Sequence, residues 1–333
     1  MVKKIYVDAF LKQMGQGVSQ PSLIIGDDGN TYILKKGEAQ GINLDCLLFN
    51  ELFCAQIASY LGVPIPEVAI ATIEKELIDG DREIIFTHRF KEGDFFASDQ
   101  LLEVEDNLLE NFEVLFRMRK PYIKKSWTAF FDSIVNKSDL AKIIAFDLLI
   151  ANFDRYDNVG NLLVSSNDDK RMIYAIDHGH AFFGPTWDLG KQRLMMQIND
   201  VQEYLNWYIS SLLLHKPFMG GQFKLKANGL GRIFQGIEQG VSLEDVNQHD
   251  FMEVVYLIES IDENLVDEWF AEIPISWFAD ADAQKKIYKT FILEQAQLVR
   301  HVINRLVESE IFSTYRGGDL QWKEQEQQGH IQL

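Results

Sequence analysis

The sequence has no apolar run near the roughly 20 residues that a membrane-spanning helix needs. Its N-terminus, "MVKKIYVDAF", lacks the apolar centre of a signal peptide. We therefore expect a cytoplasmic protein with no membrane partner. Cysteine is nearly missing as well, with Cys46 and Cys54 the only two. Both fall on one expected helix, about 12 Å apart along its axis, which is beyond disulfide reach and fits a reducing compartment.

Positive charge is the next shortage: 32 Lys and Arg stand against 50 Asp and Glu, a formal net charge of −18. Nucleic-acid binders concentrate basic residues, so direct DNA or RNA binding is not expected, and any such contact would come through a basic partner. The one basic island, "RMRKPYIKK" (117–125), reads as a solvated surface before it reads as a site for an acidic substrate. Internal repeats and low-complexity linkers are lacking too, so the 333 residues read as two lobes of one enzyme rather than independent modules. The polar end, 317–333, is expected to be a disordered tail.

What is present is a chain of 47% apolar residues, enough for a sizeable core. Ser22–Lys35 reads as two strands joined by a turn at Asp28-Gly29. Upstream, "MGQGVSQPS" has glycines without strict phosphate-loop spacing and reads as an ordinary loop. Apolar spacing predicts a helix over Leu44–Leu61, stopped by Gly62 and kept from resuming by Pro64 and Pro66. Strands are expected after it, in "VAIATI" and in "REIIFTHRF" (82–90), so that a β-rich unit spans 1–90. From 91 to 316 the pattern is mainly helical, with helices expected at Leu101–Arg117, Ser138–Ala151, Val201–Leu214, Phe251–Glu259 and Ala283–Val307. The exception is a hairpin of "NLLV" and "RMIYAID". Aromatic clusters at Asn206–Tyr208 and Glu268–Phe270 read as helix core.

The chemistry gathers at that hairpin. The loop before it carries Asp154, Arg155, Asp157, Asn158 and Asn161, and Asp177 follows it. A tight hairpin brings Asp154, Asn161 and Asp177 to one end. Oxygen ligands for Mg²⁺ beside a separate carboxylate near an attacking hydroxyl are what phosphoryl transfer uses. A rival reading has His178 and His180 join Asp177 and Asp154 around Zn²⁺ or Mn²⁺ in a hydrolase, although no third histidine lies in this region. On the second strand, alternation puts Ile33 and Lys35 on one face and Lys36 on the other. Glu51, among apolar neighbours in "FNELF", needs a partner, and Lys35 is the one we favour. Asp147, on the apolar face of its helix, is read as the anchor of Arg155.

Taken in order, "YILK", the helix bearing "NEL", "LGVPIPEVAI", "DR…NLLV" and "IDHG" resemble the HipA-like kinases, a branch of the protein-kinase-like fold, over about residues 17–185. The resemblance implies an α+β, two-lobed protein-kinase-like architecture with a small β-rich N-lobe and a large mainly helical C-lobe. It implies ATP and Mg²⁺ as cofactors and transfer of the γ-phosphate to a hydroxyl, most simply Ser or Thr of a protein substrate. Carried onto this chain, Asp154 takes the catalytic position with Arg155 beside it. Lys35, Glu51 and Ile33 fall at the ATP site, and Asn161 and Asp177 at the metal. Protein kinases place the metal-binding Asn five residues after the catalytic Asp, whereas here the amides come four and seven residues later, so Asn158 stays open beside Asn161. The resemblance also implies an antitoxin-like DNA-binding partner. A nucleotide-binding scaffold that transfers no phosphate is the alternative of a different class.

Overall fold

The structure, a computed structural model, describes residues 1–14, 20–39, 41–105, 129–156, 158–167, 170–198, 200–215, 224–225 and 230–324. The basic island at 117–125, most of "MGQGVSQPS", Asp157 and tail residues 325–333 lie outside the described residues.

The N-terminal part is built on strands β1 (Lys3–Gln13), β2 (Ser22–Gly26) and β3 (Thr31–Lys35), a short hairpin β4 (Glu38–Ala39) and β5 (Ile42–Asn43), helix α1 (Leu47–Leu61), strand β6 (Val68–Ile73), helix α2 (Lys75–Gly80) and strand β7 (Gly93–Asp99). Five of the strands close into a barrel in the order β1-β2-β3-β7-β6, antiparallel except where β6 meets β1. Its interior is filled by alternate residues: Tyr32 and Leu34 from β3, and the small Ala69, Ala71 and Ala97 from β6 and β7. Residues between them, Ile70 and Phe96, face outward and pack with α1 in the second, larger core. The expected β2–β3 hairpin forms, with Gly29 at φ 78 in its turn.

Two features of this part differ from the sequence reading. β1 was not anticipated, because register shifts at Val7/Ala9 and Phe10/Lys12 break its alternation after Ile5 and Val7. "REIIFTHRF" is not a strand: Ile84–His88 is a helical turn, with Asp81 accepting the Glu83 N–H at 2.9 Å and Arg89 left-handed at φ 59. The barrel is already closed, so it offers no free edge to that segment, and only Ile84 of its Ile-Ile-Phe run is buried. The strand that completes the barrel is β7, past residue 90, where the β-rich unit was expected to end.

The C-terminal part is helical: α3 (Asp139–Leu149), α4 (Leu189–Met195), α5 (Val201–Leu213), α6 (Arg232–Ile237), α7 (Phe251–Glu259), α8 (Glu263–Ala271) and α9 (Ala281–Glu308), with the hairpin β8 (Leu162–Asn167) and β9 (Lys170–Ala175) between α3 and α4. The expected helices at α3, α5, α7 and α9 agree within about two residues, as boundary assignments do. Residues 101–105 are not helical; Val104 bridges to Ser165, and the rest of the helix expected there lies outside the described residues. Trp269, Phe270 and Tyr208 are buried, which makes both aromatic clusters core. The start of the expected tail is docked rather than loose. Leu320 is buried, Gln321 N–H donates to Val246 O at 2.8 Å, and the Trp322 ring meets His249 with centroids 4.7 Å apart. Two apolar side chains in a polar run pack against the core there, and Trp322 Nε1–H donates to Asn304 Oδ1 at 3.2 Å.

α1 is buried on nearly every side, and Phe49, Leu52, Phe53 and Ile57 share one core with Phe146, Phe270 and Phe291 of the helical part. A helix apolar all round must be enclosed. This enclosure brings Glu51 and Asn50, its buried polar residues, against the chain that leaves β9.

Candidate active site

β3 delivers Lys35, α1 delivers Glu51, and the exit of β9 delivers Asp177. Lys35 Nζ lies 2.6 Å from Glu51 Oε1 and 3.1 Å from Asp177 Oδ1. Lys36, on the opposite side, is buried and donates to His88 O at 3.0 Å. Strand parity thus separates the two lysines as expected, with Ile33 half-buried on the Lys35 face. Burial alone would lower the Lys35 pKa, but Asp177 and Glu51 outweigh it and raise the value above that of an ordinary lysine. Lys35 holds the Asp177 carboxyl down to about 2, while burial pushes Glu51 upward. Two acids sharing one lysine are driven apart in this way. Glu51 also accepts the backbone N–H of His178 at 3.2 Å and of Gly179 at 2.9 Å, so it ties Lys35 to the Asp177 loop.

Asp154 and Asn161 come from the loop between α3 and β8. Asn161 Nδ2 donates to Asp154 Oδ2 at 2.9 Å. Asn158 is exposed, and its side chain accepts the Gly160 N–H at 3.2 Å as cap of the turn Val159–Asn161. Asn161 is the buried amide and Asn158 a local turn former, a division that favours Asn161 at the site.

Arg155 is fully buried. Its Nε meets Asp147 Oδ2 at 2.6 Å, and Nη1 donates to Asn161 O at 2.7 Å and Ile176 O at 2.9 Å. The anticipated Asp147 anchor is present, and Asn152 Nδ2 donates to the other Asp147 oxygen at 3.1 Å. Arg155 therefore joins the Asp154 loop to the residue before Asp177 from beneath and presents no group to the surface. Ile176 N–H bonds Asn161 O at 3.1 Å and Phe182 N–H bonds Ile150 O at 2.7 Å, completing the join.

The histidine-metal reading finds no support in this geometry. His178 is buried edge-on to Phe146, with burial holding its pKa well below the ordinary value, and His180 is exposed. Among the described residues no three His, Cys, Asp or Glu side chains gather as a metal cluster. Mg²⁺ asks less, since one or two carboxylates suffice when water and phosphate oxygens complete its shell. The Asp177 carboxylate and the Asn161 amide carry hard oxygen atoms of the kind that ion takes.

Two residues here carry no expectation from the sequence, and a third, Gly179 of the "IDHG" motif, gains a physical reason. Asn50 and Asn152 are buried amides next to the site carboxylates Glu51 and Asp147, and a polar residue inside an apolar run, as in "LLFNELF", is the signal that marks such a position. Gly179 is required by approach rather than by turn: a Cβ there would stand 2.9 Å from Leu47 Cγ and 3.1 Å from Glu51 Oε1.

The HipA-like kinase family model matches residues 7–192, more than half of the chain. The chain belongs to the HipA-like kinase family. It is similar to the Helicobacter pylori proinflammatory kinase CtkA, with 13% identity and a TM-score of 0.51 over 92% of this chain and 98% of that one. It also matches HipA in a Shewanella oneidensis complex of HipA, HipB and operator DNA, with 12% identity and a TM-score of 0.35 over 90% of this chain and 68% of that one. No curated protein matches the chain. The likeness to CtkA shows a mixed α+β fold with a β-rich N-terminal and a helical C-terminal part, and family membership supports a kinase-type function. No helix among the described residues is long and apolar enough to cross a membrane.

Proposed function

We propose that this chain is a two-lobed, ATP- and Mg²⁺-dependent kinase that transfers the γ-phosphate of ATP to a hydroxyl, of Ser or Thr in a protein substrate. The observation that carries the reading is Lys35 bonded to both Glu51 and Asp177, with Asp154 and Asn161 joined to each other and tied through Arg155 to the chain before Asp177. Lys35 supplies the cation for the ATP phosphates, and Glu51 keeps it extended toward them. Asn161 and Asp177 are the residues that would hold Mg²⁺, which when bound neutralises charge on the phosphates. Ile33, on the Lys35 face of β3, suits the adenine side of the same pocket.

Asp154 orients the incoming hydroxyl and accepts its proton. The hydroxyl oxygen forms a bond to the γ-phosphorus as the bond from that phosphorus to the β–γ bridging oxygen breaks, and ADP leaves with that electron pair. Arg155, expected in the catalytic set, acts here as a positioning residue, because a fully buried guanidinium touches neither substrate.

Family membership also supports a partner of the antitoxin kind, which would supply the DNA contact that a net charge of −18 disfavours in this chain. A cytoplasmic location accords with both. The test is to incubate the pure protein with labelled ATP, Mg²⁺ and a cell extract and to identify each labelled product. Label on Ser or Thr of a protein is the expected result. Label on a small molecule corrects the substrate class, and no transfer across broad substrate panels leaves a nucleotide-binding scaffold.

A further inference from the structure

The chain after Asp177 follows an improbable course. Asp177, Phe182 and Phe183 all lie in the left-handed region, at φ 62, 55 and 65, and Gly184 at φ 134. Non-glycine residues hold such angles only where their surroundings over-determine them. The course also turns three carbonyls, those of Gly179, Ala181 and Gly184, toward a single point. Carbonyl oxygens so gathered repel one another unless a donor sits between them.

Asn50 is the donor common to all three. Its Nδ2 reaches the three oxygens at 2.8, 3.1 and 3.2 Å, and the residue is completely buried. Its Oδ1 accepts from the Tyr288 hydroxyl of α9 at 2.7 Å. Carbonyls can only accept, so the amide has one orientation that satisfies both sides. The next residue, Glu51, takes the N–H groups of His178 and Gly179. Adjacent residues of α1 therefore grip the same loop in complementary ways, one through its carbonyls and one through its N–H groups. Three further bonds fasten its far end: Lys191 Nζ to Gly184 O at 2.6 Å, Cys46 N–H to Pro185 O at 2.8 Å and Trp187 N–H to Asp45 Oδ1 at 2.6 Å.

We propose that Asn50, oriented by Tyr288, is a positioning residue that sets the loop behind Asp177 and so fixes that carboxylate toward the metal and Lys35. The proposal rests on the kinase reading for what Asp177 does, and on geometry alone for what holds it. Asn50 touches no reacting group. It acts by keeping a strained loop in register with α1 and α9, which makes the metal site dependent on elements from both ends of the chain.

The test uses the full chain with Asn50→Leu, which keeps the size and removes both hydrogen-bonding ends, and Tyr288→Phe, which keeps the ring and removes the hydroxyl. Hydrogen exchange reads the loop directly. In Asn50→Leu the amides of 178–187 should lose protection while those of the barrel and α9 keep theirs. Calorimetry with a non-hydrolysable ATP analogue should show Mg²⁺ affinity lowered by about tenfold or more, the usual range for a residue supporting a ligand, with metal-free analogue binding little changed. Tyr288→Phe should move both readouts the same way by less, and combining it with Asn50→Leu should add almost nothing. Wild-type exchange at 178–187 in Asn50→Leu, or protection lost evenly along the chain, overturns the proposal. If Asn50→Leu does not fold, Tyr288→Phe decides alone, and wild-type exchange together with wild-type Mg²⁺ affinity overturns it. A wild type that binds no Mg²⁺ with nucleotide sinks the kinase reading instead, and the exchange pattern still decides whether Asn50 holds the loop.

Discussion

Two ion-pair groups lie on either side of the Asp154 and Asp177 loops, and they are built for opposite purposes. Lys35, Glu51 and Asp177 form one; Arg155 and Asp147 form the other. In the first, the Asp177 side chain is 42% exposed, and a compact ammonium can exchange its carboxylate contacts for phosphate. In the second, the side chains are 0% and 2% exposed, and the guanidinium spreads fixed donors over one carboxylate and two carbonyls. A lysine group with one carboxylate open to water can change partners during a reaction. A sealed arginine group can only hold backbone in place. The difference teaches that charge type and burial together, not the presence of an ion pair, separate the group we propose to handle substrate from the group that holds its scaffold.

The sharpest break in this comparison is Asp147→Ala. It leaves Arg155 charged and buried without its carboxylate, which costs about 3–5 kcal/mol. Urea unfolding should show that loss as a lower midpoint, and activity should fall with it. Lys35→Met should lower stability less, because Asp177 can turn to water and the buried Glu51 keeps the N–H groups of His178 and Gly179 as partners. Equal losses in the two variants would show that the groups do not differ as described.

Next in size come effects on transfer. Asp154→Ala should reduce phosphoryl transfer by about 10² or more, the lower end of general-base contributions, while MgATP affinity stays within a few-fold. Full activity in that variant would remove Asp154 from the catalytic position. For the lysines, Lys35→Met should lower kcat/KM by about 10² or more, as when one charge-stabilising donor is lost. Lys36→Met should change it little, since Lys36 bonds His88 O away from the site. Steady-state kinetics on both variants checks the order, and a reversed order would put the wrong face of β3 toward ATP.

Strand period and the cost of a lone buried charge were readable from the chain, which is why Lys35, Glu51 and the Asp147 anchor of Arg155 could be named from sequence. Each follows from neighbours within a few residues of the group itself. What escaped depends on distant closure. "REIIFTHRF" has strand composition, but the pairing of β6 with β1 leaves it no edge, and that pairing is invisible in a local window. The bulges in β1 hide its period for a related reason, since they fit the strand to β2. Asn50 stood in plain view within "NEL", yet its carbonyl partners begin 129 residues away. The docked stretch around Leu320–Trp322 was masked by the polar residues on either side of it.

The smallest effect concerns pH and sharpens the comparison from the exposed side. The folded Asp177 carboxyl is lowered to about 2 by Lys35, against about 3.9 for an unfolded Asp. A folded-state pKa below the unfolded one means that the unfolded chain binds the proton first. The stabilisation from this carboxylate is therefore fully present above the unfolded value and is lost as pH falls from about 4 through about 2. Its size should stay below about 1 kcal/mol, because a side chain this open to water is screened. Asp177→Asn tests it cleanly, since Asn tolerates the left-handed backbone at φ 62 as well as Asp does. Urea midpoints of wild type and Asp177→Asn, measured at steps from pH 6 down to the lowest pH at which both stay folded, should differ by a constant amount above pH of about 5 and converge below it. A gap that widened on acidification would mean that Asp177 is not held charged by Lys35, and the division between an exchangeable pair and a sealed one would lose its first member.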